Sequence, residues 1–135
     1  IYRIIKLIKP SEWTEEFADI VYDDVKKHKY FITNLGKCTQ TDARPLPNSV
    51  YEEYLELIKK EFEIVKPKAI ILFGNQVSSI VLKENISVSQ CRKKKFVKEI
   101  NGENYNFYSV YYPVGNGRVN IDKSIEDIRY IQENL

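Results

Sequence analysis

The chain has 135 residues, 43% of them hydrophobic and 13% aromatic, with five Gly and five Pro. That composition can fill one core and excludes collagen-like and low-complexity chains. Twenty-one Lys and Arg against nineteen Asp and Glu leave a net charge of +2, too small to mark a nucleic-acid binder by itself.

No apolar run reaches the roughly 18–20 residues of a membrane span, and no signal-peptide pattern is present. A single domain over residues 1–135 that is soluble, cytoplasmic and without membrane contact is therefore expected. Two cysteines, Cys38 and Cys91, and one histidine, His28, cannot supply the four ligands of a structural zinc site, so no metal centre is expected. The chain begins at Ile1 and contains no Met, which leads us to expect that its natural N-terminal part is missing.

The opening IYRIIKLI alternates, carries β-branched residues and stops at Pro10, which predicts a strand over 2–8. From Ser11, read as an N-cap, Trp13, Phe17, Ile20, Val21 and Val25 recur at helical spacing, with acids first and lysines last. YFIT at 30–33 reads as a short buried strand feeding a loop rich in Thr, Asp and Pro that runs to Asn48. Ser49 and Glu52 have capping-box spacing, and Val50, Tyr54, Leu57, Ile58, Phe62 and Val65 trace one helical face up to Pro67. AIILF at 69–73 is continuously apolar, as in a central parallel strand covered on both faces, and Gly74 separates it from a short helix with Val77, Ile80 and Val81. Alternation on both sides of Asn101-Gly102 is a hairpin signal, its second strand ending at Pro113. GNGRVN reads as a flexible loop, and Ser124 with Asp127 as the cap of a last helix containing Ile125, Ile128 and Leu135.

This alternation of strands and helices predicts an α/β fold: a three-layer α/β/α sandwich around a mainly parallel four-stranded sheet, with strands near 2–8, 30–33, 69–73 and 107–112. In such sheets ligands bind beyond the carboxyl ends of the strands. Residues 34–44, 74–78 and 112–118 are thereby singled out.

YFITNLGKC, Arg44 six residues after its cysteine, a helix with Tyr54-Leu55, the strand VKPKAIILFG and the closing YSVYYPVGNG together resemble the uracil-DNA glycosylase superfamily, most closely its iron–sulfur family 4. The resemblance covers about residues 30–135. It implies base-excision DNA repair by hydrolysis of the N-glycosidic bond of uracil, with single- or double-stranded DNA as the partner. It also makes Asn34 and Gly74 base-binding, and it puts Tyr112 where the family has a histidine that stabilises the departing uracil anion. The family's water-positioning loop follows its first strand, whereas here that strand runs into Lys9, Pro10 and Ser11. Weakened or lost activity is therefore expected, and the alternative is a catalytically inactive glycosylase-fold module that binds DNA or a protein partner. Of the four cluster cysteines only Cys38 has a counterpart; Tyr51 stands where a later one would be, and Cys91 falls outside the pattern. No iron–sulfur cluster and no other cofactor is expected.

The side-chain amide of Asn34 offers one donor edge and one acceptor edge, which match uracil N3–H and O4; its bland alternative is a strand-ending turn. Rejection of cytosine would follow, because an unpaired buried polar group costs roughly 1–3 kcal/mol. Arg92 and Lys93 in CRKKK, with Lys37 and Arg44, can contact phosphates, although a solvated loop before a hairpin is the plainer reading of CRKKK. Gly115, Asn116, Gly117 and Arg118 can bring backbone N–H groups and one charge to DNA, the corresponding superfamily loop being one that enters the minor groove. Cys38 is read as a small buried apolar residue, His28 as a surface residue, and Trp13 and Phe17 as core, with stacking on a flipped base as their functional alternative. A third reading, a nucleotide-binding α/β domain using Gly74 and the helix behind it, lacks a glycine-rich fingerprint.

Overall fold

The computed structural model describes residues 14–27, 29–42 and 44–135, and its contacts divide the chain into two units, Ile1–Thr33 and Asn34–Leu135. In the first unit, helix α1 spans Glu15–Lys27. Thr14 Oγ1 accepts a hydrogen bond from the Phe17 N–H at 3.1 Å, which makes Thr14 its N-cap. Glu15 and Glu16 open the helix and Lys26 and Lys27 close it, both favourable to its dipole. Val21 is buried, but Ile20 is 54% exposed and leaves the expected apolar face. Ser11, Trp13, His28 and the expected 2–8 strand lie outside the described residues.

No strand forms at 30–33. Lys29 takes a positive φ of 56°, the Tyr30 N–H returns to Val25 O at 3.1 Å, and Phe31 and Ile32 are exposed. β propensity reflects packing against neighbouring strands, and this run has no strand partner among the described residues.

The second unit begins its helices with α2 (Asn48–Glu53) and α3 (Leu55–Val65), interrupted at Tyr54. Pro47 is the N-cap and no side-chain cap bond forms, so the Ser49–Glu52 capping box is not made. Proline starts the helix early, which places Ser49 inside the first turn. Ile58 and Phe62 of α3 are buried and Leu55 packs on the core, whereas Leu57 and Val65 are exposed.

Strand β1 (Ile70–Phe73) comes next, then α4 (Asn75–Leu82), a short α5 (Val88–Cys91), β2 (Phe96–Ile100) and β3 (Glu103–Val110). The sheet order is β1-β3-β2. β1 pairs parallel with β3, from Ile70↔Phe107 to Phe73↔Val110, and β2 pairs antiparallel with β3 through Phe96↔Phe107. The described sheet is thus three-stranded and mixed, where four mainly parallel strands were expected, and its central strand is β3 and not the AIILF segment. The hairpin is as the sequence predicts: Asn101 and Gly102 both take positive φ, 50° and 85°, as a two-residue type I′ turn requires.

One face of the sheet contributes Ile70, Leu72, Tyr105, Phe107 and Phe96 to a cluster with Ile58, Phe62, Ile80 and Leu82. Phe62 meets the rings of Tyr105 and Phe107 at centroid distances of 5.9 and 5.8 Å, contacts worth about 0.5–1.5 kcal/mol each beyond area burial. Tyr108 and Val110, which alternation turns the other way, are buried as well. The last helix, α6 (Ile121–Glu133), contacts β3 and buries Ile125, Ile128 and Ile131; Leu135 is 65% exposed. Ser124 and Asp127 do not cap α6. Both are inside it and fully buried, and each makes a tertiary bond.

The bond made by Asp127 is the strongest polar tie described. Arg92 Nε lies 3.1 and 2.9 Å from the two Asp127 carboxylate oxygens, and Arg92 Nη2 lies 2.9 Å from Oδ1 and 2.7 Å from Glu126 Oε2. The guanidinium is held above its ordinary range chiefly by the bond to Asp127. Lys93 pairs with Glu126 as well and lies over the Tyr130 ring. Lys93 and Arg92 in turn hold the Glu126 carboxyl below the usual range.

Removing one partner of this tie strands the other. Arg92→Met leaves a buried carboxylate unpaired and should lower unfolding free energy by on the order of 3 kcal/mol, whereas Arg92→Met/Asp127→Leu should recover most of the loss. Urea denaturation measures both, and a double variant no better than the single one would contradict the assignment. Glu126, Glu84 and Glu56 all have lowered folded values, each through a lysine bond first. Their contribution is therefore complete above the unfolded glutamate value of about 4.3 and is lost as pH falls through the lower folded values. The melting temperature should drop on acidification below that value, less steeply in Glu126→Gln.

Candidate functional site

Parallel pairing of β1 with β3 puts the carboxyl ends of both strands at one edge. Gly74 follows β1 there and Tyr112 follows β3. The Gly74 N–H donates to Val110 O at 2.8 Å, and with φ 88° Gly74 is the N-cap of α4, a conformation that favours glycine. A Cβ at Gly74 would stand 3.5 Å from Tyr112 Cβ, so the two residues are in contact.

The segment after Tyr112 folds back on itself. A Cβ at Gly117 would lie 1.7 Å from the Tyr112 carbonyl oxygen, a separation that admits no side chain. Gly115–Asn120 form a 3-10 helix where a flexible loop was expected, because the Gly117 N–H bonds to Val114 O at 3.1 Å. Ser124 Oγ, 2.9 Å from Tyr111 O and 3.2 Å from Asn120 O, ties both ends of this segment to α6. Asn116, Arg118, Val114 and Val119 project from it, Val119 with 86% of its surface exposed.

Asn34 is exposed at the head of the second unit. Leu35, next in sequence, is buried in the core cluster. A Cβ at Gly36 would be 2.7 Å from Leu46 Cδ1 and 2.9 Å from Tyr51 Cε1. Lys37 pairs with Glu61 at 2.8 Å. Cys38 is exposed, contrary to the buried apolar role expected of it, and its side chain neighbours Tyr54. Hydrogen bonding to the Cys38 side chain is the first cause raising Tyr54 above the ordinary tyrosine range, with burial and Glu53 adding to it.

Gln76, in the first turn of α4, joins these pieces: its Nε2 donates to Leu46 O at 3.3 Å and Asn48 Oδ1 at 2.8 Å. Contacts therefore run unbroken from Gly36 through Leu46 and Gln76 to the start of α4 beside Gly74 and Tyr112. Arg44 is exposed and bonds to Asp42. Arg92 and Lys93 face α6 instead of joining this edge. Motif reading misses Gln76 and Ser124; Gln76 falls in the 74–78 stretch that the strand-end rule singles out, and Ser124 has the look of a cap.

A four-thiolate cluster does not fit these residues. The 135 residues hold two cysteines, Cys91 is buried in the core cluster, where burial pushes its thiol up, and the Tyr51 ring fills the space against Gly36. No group of three or more His, Cys, Asp or Glu suited to a metal ion occurs among the described residues, and no helix among them is long and apolar enough to cross a membrane.

No curated protein matches the chain. The family model described as the Uracil DNA glycosylase superfamily matches residues 2–131, and with that span of the sequence matched the chain belongs to this superfamily.

Proposed function

We propose that the chain acts on uracil in DNA as a glycosylase-like base-excision protein of weakened activity, with Asn34 reading the base and Tyr112 placed at the departing group. The observation that carries this reading is the contact of Tyr112 with Gly74 and Gly117 at the shared carboxyl edge of β1 and β3. The match of residues 2–131, spanning both units, supports reading the chain as one glycosylase-like domain of three-layer α/β/α type.

In this reading the deoxyuridine is flipped out of the stack and its Watson–Crick edge meets the Asn34 amide. Water adds to C1′ as the C1′–N1 bond breaks, the bonding pair leaves on uracil as its anion, and the proton lost by the water passes to solvent. The Tyr112 hydroxyl supplies a neutral hydrogen-bond donor to that anion. An imidazolium would add charge, and removing one donor of such a site typically costs about 100- to 1000-fold in rate. Asn116, Arg118 and Arg44, all exposed, are the DNA contacts, together with the backbone of Gly115 and Gly117. Arg92, Lys93 and Lys37, engaged with carboxylates, serve the fold. The likeness to the iron–sulfur family belongs to this reading too, without its cluster. Tyr112 in the place of a histidine also favours a second reading, a module that binds uracil-containing DNA without cutting it.

Abasic-site formation in a uracil-containing oligonucleotide tests the reading. Asn34→Ala should abolish excision while leaving the melting temperature within about a degree, since the side chain is exposed, and Tyr112→His should raise the rate. Robust excision that survives loss of Asn34 would sink the assignment; retained binding without excision in the parent protein would select the second reading. Gly117→Ala must push the Tyr112 carbonyl aside, so it should lower excision at least about tenfold, and a fully active Gly117→Ala protein would contradict the fold-back geometry.

A further inference from the structure

Three consecutive residues beside Asn34 are each fastened to the α2–α3 pair by a different kind of contact. Gly36 stands against the Tyr51 ring and Leu46, where a Cβ would come within 3.0 Å of both side chains. Lys37 makes its 2.8 Å ion pair with Glu61, both side chains about three-quarters covered. Cys38 takes the hydrogen bond of Tyr54, the residue at which α2 ends and α3 begins. Ahead of them Leu35 is sunk in the cluster with Ile58 and Phe62 of α3. Asn34, by contrast, is exposed and sits at the free head of this fastened segment.

A recognition amide is effective only if its rotamer and backbone are held before the base arrives, because a misplacement of about 1 Å can cost roughly 100-fold. An exposed asparagine on an irregular segment has no secondary-structure ladder to hold it. The contacts at 36, 37 and 38 supply that hold, and the contact with Leu46 connects it through Gln76 to the start of α4.

We propose that residues 35–38 form a clasp on α2 and α3 that presets Asn34, and that Gly36 and Tyr51 are its positioning residues. The proposal deepens the uracil-reading role of Asn34 and rests on it. Tyr51 acts through its ring, since the Tyr51 atoms that a Cβ at Gly36 would meet are Cε1 and Cδ1, so the hydroxyl is dispensable. Gly36 acts by having no side chain. Lys37 and Tyr54 add an ionic and a hydrogen-bonded tie that fix the direction in which the segment leaves Asn34.

The test pairs two readouts on the whole chain. By NMR, Gly36 Hα should show contacts to the Tyr51 ring protons and an upfield ring-current shift. In Tyr51→Leu and in Gly36→Ala the Asn34 backbone and side-chain amide resonances should move, while in Tyr51→Phe they should stay in place. With a uracil-containing oligonucleotide, Tyr51→Leu and Gly36→Ala should weaken uracil-dependent binding or excision about tenfold, Tyr51→Phe should stay within about twofold, and adding either change to Asn34→Ala should have no further effect. Unmoved Asn34 resonances in both Tyr51→Leu and Gly36→Ala would overturn the clasp. So would full additivity with Asn34→Ala. Should the parent protein ignore uracil, the recognition reading fails by itself, and the NMR arm still decides whether Gly36 and Tyr51 set Asn34.

Discussion

The parallel ladder between β1 and β3 is the constraint on which the site depends. Four aligned pairs, Ile70↔Phe107 to Phe73↔Val110, bring two segments distant in sequence to end at the same edge, and the turn at each end then faces the other. The Gly74 N–H seals the edge on Val110 O. Phe107 and Val110 are fully buried on opposite faces and Phe107 packs on Phe62, so a slip of one residue would break the packing on both faces at once. The register is therefore fixed by the core, and with it the approach of Tyr112 to Gly74.

Around that edge the polar ties are placed where regular structure runs out. Ser124 holds the ends of the 112–120 segment, Gln76 holds the 46–48 turn, and Asp127 holds Arg92 against α6. Each replaces backbone pairing that an irregular segment lacks. Ser124 and Asp127, both fully buried, meet a carbonyl and a guanidinium respectively, as the cost of leaving such groups unpaired demands. Two glycines matter for different reasons: Gly74 for a positive φ, and Gly117 because a carbonyl occupies the space of its missing Cβ.

Local chemistry was legible in the sequence. Asn101-Gly102 announced its type I′ turn, AIILF its strand, and Gly74 its helix start, because each depends on residues within a few positions. Misreadings arise where a distant partner decides. The apolar run at 30–33 has strand propensity but no strand partner among the described residues; Ser49, Ser124 and Asp127 have capping chemistry, yet Pro47 moves one helix start and the other two side chains find tertiary partners. Arg92 and Lys93 read as a basic patch in sequence, and the carboxylates they pair with, Glu126 and Asp127, lie far along the chain where spacing cannot show them. Within the site, the strand-end rule reaches Gly74, Tyr112 and Gly117, whereas the joint made by Gln76 and the clasp at Tyr51 are visible only once α2, α4 and residues 34–38 are seen together.

The proposed function brings Asn34, Gly74, Tyr112 and Gly117 to bear on one uracil-containing strand. Titration of the isotope-labelled protein with a short single-stranded oligonucleotide carrying one deoxyuridine, against the same strand carrying thymidine, tests that assignment most directly. Saturable amide shifts are expected at Asn34, Gly74, Tyr112 and Gly117 that are larger for deoxyuridine, with Arg92 and Lys93 unmoved. Identical shifts with both strands, or a shift pattern centred on Arg92 and Lys93, would contradict it.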